Sequence, residues 1–460
     1  MDKPEQFDPN KTVAGGPVDN RTRAMDAPPT ASDANRTTAW EQPETLTVTV
    51  TPSREATMAN GPAREQFLIE LTANDGGALP GVGTSGVRTP LNLCLVIDRS
   101  GSMEGAPLDY AKQACQYVVD LLSPTDQLSI VVFDEIVDVL MPPQLVTDKE
   151  AIKDGIAQLQ PGYTTNISDA MTMAAQQLAP GLEDKSRATR MVFLTDGEPT
   201  AGIREFQPLL QHAFDIKQRG ITCTFLGFGP EYNEELLASM ARKTGGNYYY
   251  ISQPQLIPEI FRTELEKLMT VAAVNPKLEM KLSRWVTLRS VTGQSVAPSG
   301  KEFTLDLADL ERGATMSQVL DFEFENHPLG HYRVAGGRLT FEDVTGGASK
   351  VIDVDLVMEF TADKARYSMP VNPLVEQAFQ VSAASRVVEK TIMGLKTHQL
   401  TAEGALAELE KTQMLLIQDG RTEEAQEVTL AMQAIKSGDI GGAEKTLMGA
   451  MLHLDQGKKS

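Results

Sequence analysis

The 460-residue sequence predicts a doubly wound α/β domain inserted in a β-sandwich and followed by C-terminal helices. Three patterns predict it. Between 88 and 270, continuous apolar runs alternate with amphipathic helical stretches, as expected for parallel strands covered on both faces by helices. On either side, at 45–87 and 271–362, apolar and polar residues alternate with a period of two, the mark of half-buried strands. From 370 to 460 the period is that of helices again, punctuated by caps and glycine stops.

In chain order, residues 1–44 are rich in Pro, Asp, Asn, Thr and Ala and poor in large apolar residues. Such a composition does not offset ordering entropy, so a disordered tail is expected. Leu46, Val48 and Val50 alternate with threonines, and Gln66–Leu71 forms a second strand candidate before a glycine-rich loop at 76–86. Two strands do not make a stable sheet alone, so they are expected to join the later sandwich strands, which makes the α/β domain an insertion. Within that domain the strand runs are 91–97, 127–133, 190–195, 221–227 and 248–251, with a short edge strand at 136–140. The helical runs are 107–122, 149–159, 168–178, 205–217, 234–243 and 254–269. Asn372-Pro373 reads as a cap followed by a first-turn proline. Thr401 and Thr422 are further cap candidates, Gly420 and Gly438 are stops, and a small bundle is the expected result.

Composition narrows the function. A net charge of −20 repels a phosphate backbone and an anionic membrane, so neither nucleic acid nor membrane is an expected partner. No run approaches the ~20 apolar residues that span a bilayer. Met1-Asp2-Lys3-Pro4-Glu5 has no apolar signal core, and a cytoplasmic location is the expectation. Cys94, Cys115 and Cys223 each lie in an apolar run, which suits buried thiols better than disulfides or metal ligation.

The informative residues are Asp98-Arg99-Ser100-Gly101-Ser102, directly after the apolar strand 93–97 and before a helix. Ligands of open α/β sheets bind beyond the C-terminal strand ends. Here that place offers a carboxylate and two hydroxyls within five residues, hard oxygen donors suited to Mg²⁺ or Mn²⁺. A second strand ends in Thr195-Asp196-Gly197, and the loop Gly162-Tyr163-Thr164-Thr165-Asn166 opens a helix with two threonine hydroxyls. The alternative is that Ser100 and Ser102 cap the next helix and Asp196 satisfies loop amides.

The order Asp-x-Ser-x-Ser, then Thr, then Thr-Asp-Gly resembles the metal-ion-dependent adhesion site of the von Willebrand factor A (VWA) family, over roughly residues 90–270. The resemblance extends to bacterial cytosolic VWA proteins and implies a Rossmann-like domain. It also implies that Ser100, Ser102 and Thr165 supply hydroxyl oxygens, while Asp98 and Asp196 bind directly or through water. Magnesium is the expected ion, with manganese or calcium as alternatives. An open position is left for a partner's Glu or Asp. Many relatives carry two glycines in this loop, which here reads Gly162-Tyr163-Thr164-Thr165-Asn166; Thr165, directly before Asn166, is assigned.

Other signals weigh less. His327-Pro328-Leu329-Gly330-His331 is broken by Pro and Gly, so no metal pair is expected. Gly227-Phe228-Gly229-Pro230 reads as a turn, and Gly83-Thr84-Ser85-Gly86 is no nucleophile elbow. Thr12 in the tail is a candidate phosphosite for a phosphothreonine-reading partner. Met414, Met432, Met448 and Met451 read as core. The expected function is a non-enzymatic, metal-dependent protein-binding scaffold. The alternatives are a Mg²⁺-dependent phosphate-ester hydrolase, for which Arg99 and Glu198 are the nearby candidates, and a self-assembling structural protein.

Overall fold

The computed structural model describes residues 45–74, 88–196, 198–229, 232–293, 296 and 300–459. The expected tail with Thr12, the loop at 76–86 and Gly197 lie outside the described residues.

The chain enters through β1 (Leu46–Pro52), β2 (Ala56–Met58) and β3 (Ala63–Ala73). The α/β domain then runs β4 (Leu91–Asp98), α1 (Ala106–Leu121), β5 (Gln127–Phe133), β6 (Val137–Leu145), α2 (Lys149–Ala157), α3 (Ile167–Leu178), β7 (Ala188–Thr195), α4 (Phe206–Gln218), β8 (Thr222–Phe228), α5 (Glu234–Thr244), β9 (Tyr248–Ile251) and α6 (Ile257–Met269). The return is β10 (Val271–Leu282), β11 (Val286–Val291), β12 (Glu302–Asp306), β13 (Leu310–Glu311), β14 (Thr315–Phe324), β15 (Gly330–Asp343) and β16 (Ala348–Thr361). A helical turn α7 (Lys364–Tyr367) precedes α8 (Pro373–Lys396), α9 (Ala402–Asp419), α10 (Thr422–Ser437) and α11 (Ile440–Gln456), and a two-residue strand, β17 (Lys458–Lys459), follows.

The α/β sheet has the order β6-β5-β4-β7-β8-β9, parallel except for β6. Every residue of β4 and β7 is buried, which explains their unbroken apolar character. On one face α1, α2 and α6 cover Leu95, Ile97 and Val132. On the other α3, α4 and α5 cover Val96, Phe133 and Phe193, and the same core continues into α8–α11 through Val388, Leu447 and Met448. Phe193 and Phe225 stack with ring centroids 5.0 Å apart. The sheet order reverses between β4 and β7, and that switch point opens the crevice used by ligands of such sheets.

The insertion is as expected. One sandwich sheet is β1-β3-β14-β11, with β17 added to β14; the other is β12-β10-β15-β16-β2, with β13 on β10. In β16 buried and exposed residues alternate, as suits a sheet with one wet face. The entry and exit of the α/β domain are tied together. The Thr89 N–H donates to the Met269 carbonyl at 2.9 Å, and the Thr89 hydroxyl donates to the Val271 carbonyl at 2.6 Å. Beyond them, Arg190 of β7 and Asp309 of the sandwich form a fully buried ion pair. Lys217 reaches Asn275 Oδ1 at 2.7 Å beside it.

Several details correct the sequence reading. The edge strand extends past Leu140 through Met141-Pro142-Pro143, because prolines are tolerated where no second neighbour needs their N–H. The last helix of the domain starts with a 3₁₀ turn at Pro254–Leu256. Thr422 is not a cap: only Gly420 and Arg421 separate α9 from α10, so Arg421 occupies the cap position and Thr422 starts the helix. The elements β2, α7 and β17, two to four residues each, are too short to leave a periodic signal. Asn372 and Thr401 do cap, each accepting a backbone N–H, and Gly420 and Gly438 end their helices in the left-handed region at φ +78° and +86°. All three cysteines are free and buried. Met432, Met448 and Met451 are buried, whereas Met414 is exposed. His327 packs against Trp285 and Tyr332, and His331 faces Glu359 on the surface.

Candidate metal centre

Three loops meet at the C-terminal end of the α/β sheet. The first carries Asp98 at the end of β4, then Ser100 and Ser102. The second, Gly162–Asn166, leads into α3, where Asn166 caps the helix by accepting the Asp169 N–H. The third follows β7 and carries Asp196. Because β4 and β7 are adjacent and in register, with Ile97 opposite Leu194, their last residues come out side by side.

Four of the five sequence-assigned residues fall into one hydrogen-bonded set. Asp98 is fully buried; its Oδ1 accepts the Ser100 N–H at 2.8 Å and its Oδ2 accepts the Thr195 hydroxyl at 2.6 Å. Ser100 Oγ lies 3.2 Å from Ser102 Oγ, and Ser102 Oγ donates to Asp196 Oδ1 at 2.7 Å. Ser100 makes no side-chain cap, and α1 is capped instead by Gly105 without a side chain. The capping alternative therefore does not describe these hydroxyls: they point toward the two carboxylates.

Thr165 sits in the second loop, bound through its backbone. Its N–H donates to Thr200 Oγ1 at 2.8 Å, and its carbonyl accepts from the Thr200 and Ala201 N–H groups. That ties the second loop to the third. The second loop is tied to the first by the Gly101 N–H donating to the Tyr163 carbonyl and the Gly162 N–H donating to the Arg99 carbonyl. The side chain of Thr165 is buried. Its neighbour Thr164 has a buried hydroxyl with no hydrogen-bond partner among the described residues, so both threonines remain oxygen-donor candidates. Gly162 is needed for close approach: a Cβ there would lie 1.7 Å from Asp134 Oδ2.

Sequence reasoning missed Thr195, whose hydroxyl donates to Asp98 Oδ2. Its only signal is its place between the strand and Asp196. Arg99 turns away from the carboxylates, its guanidinium 2.7 Å from Asp138 and 3.4 Å from Asp134.

Burial pushes the Asp98 carboxyl up to about 7, with the nearby Asp196 charge adding to the rise against the hydrogen bonds of Thr195 and Ser100. No cation figures among the groups acting on it. A buried carboxylate facing a second carboxylate and neutral hydroxyls, without a basic side chain to balance it, fits a hard dication. Among the described residues no group of three or more His, Cys, Asp or Glu side chains could hold a metal, so any ion here depends on the hydroxyl donors.

Proton and dication compete for Asp98. Magnesium uptake should therefore weaken about tenfold between pH 8 and pH 6, as the carboxyl takes up its proton. Titration calorimetry at the two pH values reads this directly, and equal affinities would contradict it.

Residues 92–263 match the family model of the von Willebrand factor type A domain. Protein sll0103 of Synechocystis is 34% identical over 228 residues, which cover 49% of this chain and 52% of that protein. Human inter-alpha-trypsin inhibitor heavy chain H4 is 29% identical over 164 residues, covering 34% of this chain and 18% of the heavy chain. The chain thus spans about half the length of the first relative and less than a fifth of the second. Among solved structures, a von Willebrand factor type A protein from Catenulispora acidiphila superposes with a TM-score of 0.64 at 15% identity, covering 83% of this chain and 88% of that one. The ArnB paralog VWA2 from Sulfolobus acidocaldarius gives 0.59 at 17% identity, covering 88% and 98%. At these identities the likeness is one of fold, and it takes in sandwich and helices as well as the α/β domain.

Proposed function

Because the chain carries a von Willebrand factor type A domain at residues 92–263, we propose that it is a metal-dependent protein-binding scaffold that captures a Glu or Asp side chain of a partner. Domains of this kind commonly mediate protein–protein contacts through a bound divalent ion. The observation that carries the reading is the buried, cation-free Asp98 joined through Ser100 and Ser102 to Asp196. Asp98, Ser100, Ser102, Asp196 and a threonine of the second loop would hold the ion, magnesium by its preference for hard oxygen. Two carboxylates neutralise a dication without excess negative charge, which leaves the bound ion able to attract one more carboxylate. Asp98 and Thr195 are buried, while Ser102 is exposed, so the open side of the site is on the Ser102 side.

A hydrolytic role has less support. It needs a general base or phosphate clamp beside the ion. Arg99 is occupied by Asp134 and Asp138, and Glu198 is exposed to solvent. We therefore assign no catalytic residue.

The test is capture of proteins from a lysate of the source cells by the immobilised full chain, followed by elution with chelator. A defined set of proteins should be retained in magnesium, released by EDTA, and retained again when magnesium is restored. Retention that ignores EDTA would refute the reading, as would turnover of phosphate esters that depends on magnesium.

A further inference from the structure

Building on that reading, we infer that the captured segment presents a single, isolated carboxylate beside apolar side chains, and that Tyr163 and Ile136 select it. Tyr163 is 84% exposed, more than any other large apolar side chain among the described residues, and Ile136 is 63% exposed. Both stand at the rim of the candidate metal centre. The Tyr163 carbonyl accepts the Gly101 N–H at 3.2 Å, which seats this residue beside the Ser100–Ser102 loop. Ile136 sits on the turn after β5, where its N–H donates to Asp134 Oδ1 at 2.8 Å and its carbonyl accepts the Asp134 N–H. Asp134 in turn packs against Gly162, the residue before Tyr163, so the two apolar side chains rise from neighbouring loops. On the far side of the same loop cluster, Ile203 is also exposed, its N–H donating to Ser168 Oγ at the start of α3.

Single exposed apolar residues need no explanation, but a group of them around a site of buried polar atoms marks a contact surface. Aromatic anchors such as Tyr are the side chains that most often dominate binding energy. The charges around them sharpen the choice. Glu104, Glu135 and Glu198 are exposed on the same loops, and the chain as a whole carries −20. An acidic stretch would meet like charge at every position except the one directed at the ion. One carboxylate with apolar or basic neighbours meets none. Arg99 does not relieve this repulsion, because its guanidinium is already paired.

An array of synthetic peptides with a central Glu, flanked on both sides by Leu and Phe, by Ser, by Lys or by Asp, tests this against the full chain in magnesium and in EDTA. In magnesium the Leu/Phe-flanked peptide should bind best, and the Asp-flanked one at least about tenfold more weakly. The double variant Tyr163→Ser/Ile136→Ser should bind Leu/Phe- and Ser-flanked peptides alike, while its magnesium uptake by calorimetry stays that of the wild type. Magnesium-dependent binding that ignores the flanking residues would overturn the inference and leave the scaffold reading standing. Loss of magnesium uptake in the double variant would also overturn it, by placing these residues in the ion's support and not in selection. No magnesium-dependent binding of any Glu peptide would overturn the scaffold reading and this inference together.

Discussion

Replacing Asp98 by asparagine should make the metal-free protein more stable and leave it unable to take up magnesium. The carboxyl is buried, and its folded-state pKa is raised to about 7 from an unfolded value near 3.8. Between those values the folded protein holds a proton that the unfolded chain has released, so stability falls as pH rises through this window. Above pH 7 the full penalty is present, roughly 4 kcal/mol for a shift of about three units. Asparagine keeps the acceptor for the Ser100 N–H, and its amide can donate to the Thr195 hydroxyl, so both local hydrogen bonds have a substitute. At pH 8 in EDTA the variant should unfold at higher denaturant than the wild type, and its stability should no longer fall between pH 4 and 7. In magnesium at a hundredfold excess over its dissociation constant the variant's advantage should shrink by about 2.7 kcal/mol, because the ion stabilises only the protein that binds it. A variant less stable than wild type in EDTA, or one binding magnesium normally, would refute the account.

The second large effect lies at the opposite end of the sheet. Burial alone would raise the Asp309 carboxyl, but Arg190 and Lys217 more than offset it and hold the group below its usual range. Asp309 also accepts the Asn275 N–H at 2.7 Å. Asp309→Ala leaves two buried cations and one backbone N–H without that partner, which should cost about 3–5 kcal/mol in denaturant unfolding. The double replacement Arg190→Met/Asp309→Leu should recover part of the loss, since it removes one of the two stranded charges and leaves Lys217 without its carboxylate neighbour. A single variant within about 1 kcal/mol of wild type would show that the pair does little to hold the α/β domain on the sandwich.

Much of this was legible in the sequence. The unbroken apolar runs of β4 and β7 announce buried parallel strands, and the oxygen-bearing residues directly after them announce the site. The strands on either side of the α/β domain read correctly as one sandwich because each needs a neighbour to bury its apolar face. What escaped is what has no local pattern. Thr195 matters because Asp98 comes back to it from 97 positions away. Thr165 is assigned from its place before Asn166, and the structure adds Thr164, whose buried hydroxyl has no hydrogen-bond partner among the described residues. Arg99 stood as a candidate for the hydrolytic alternative until the hairpin of β5 and β6 placed Asp138 against it. The Arg190–Asp309 pair joins two domains, which no periodicity reports.

The bond between Thr89 and the segment 269–271 has a bearing on how the chain acquires its shape. Strand β3 finds its partner β14 only across a long interval, Thr72 facing Thr315 some 243 positions on. Closing so wide a loop from a random coil is slow and entropically unfavourable. The α/β domain is contiguous, so it can condense first during vectorial synthesis and bring its two ends to within hydrogen-bonding distance of each other. What is left to close between β3 and β14 is then only the chain outside the domain, residues 74–88 and 272–314, a smaller loop than the full interval.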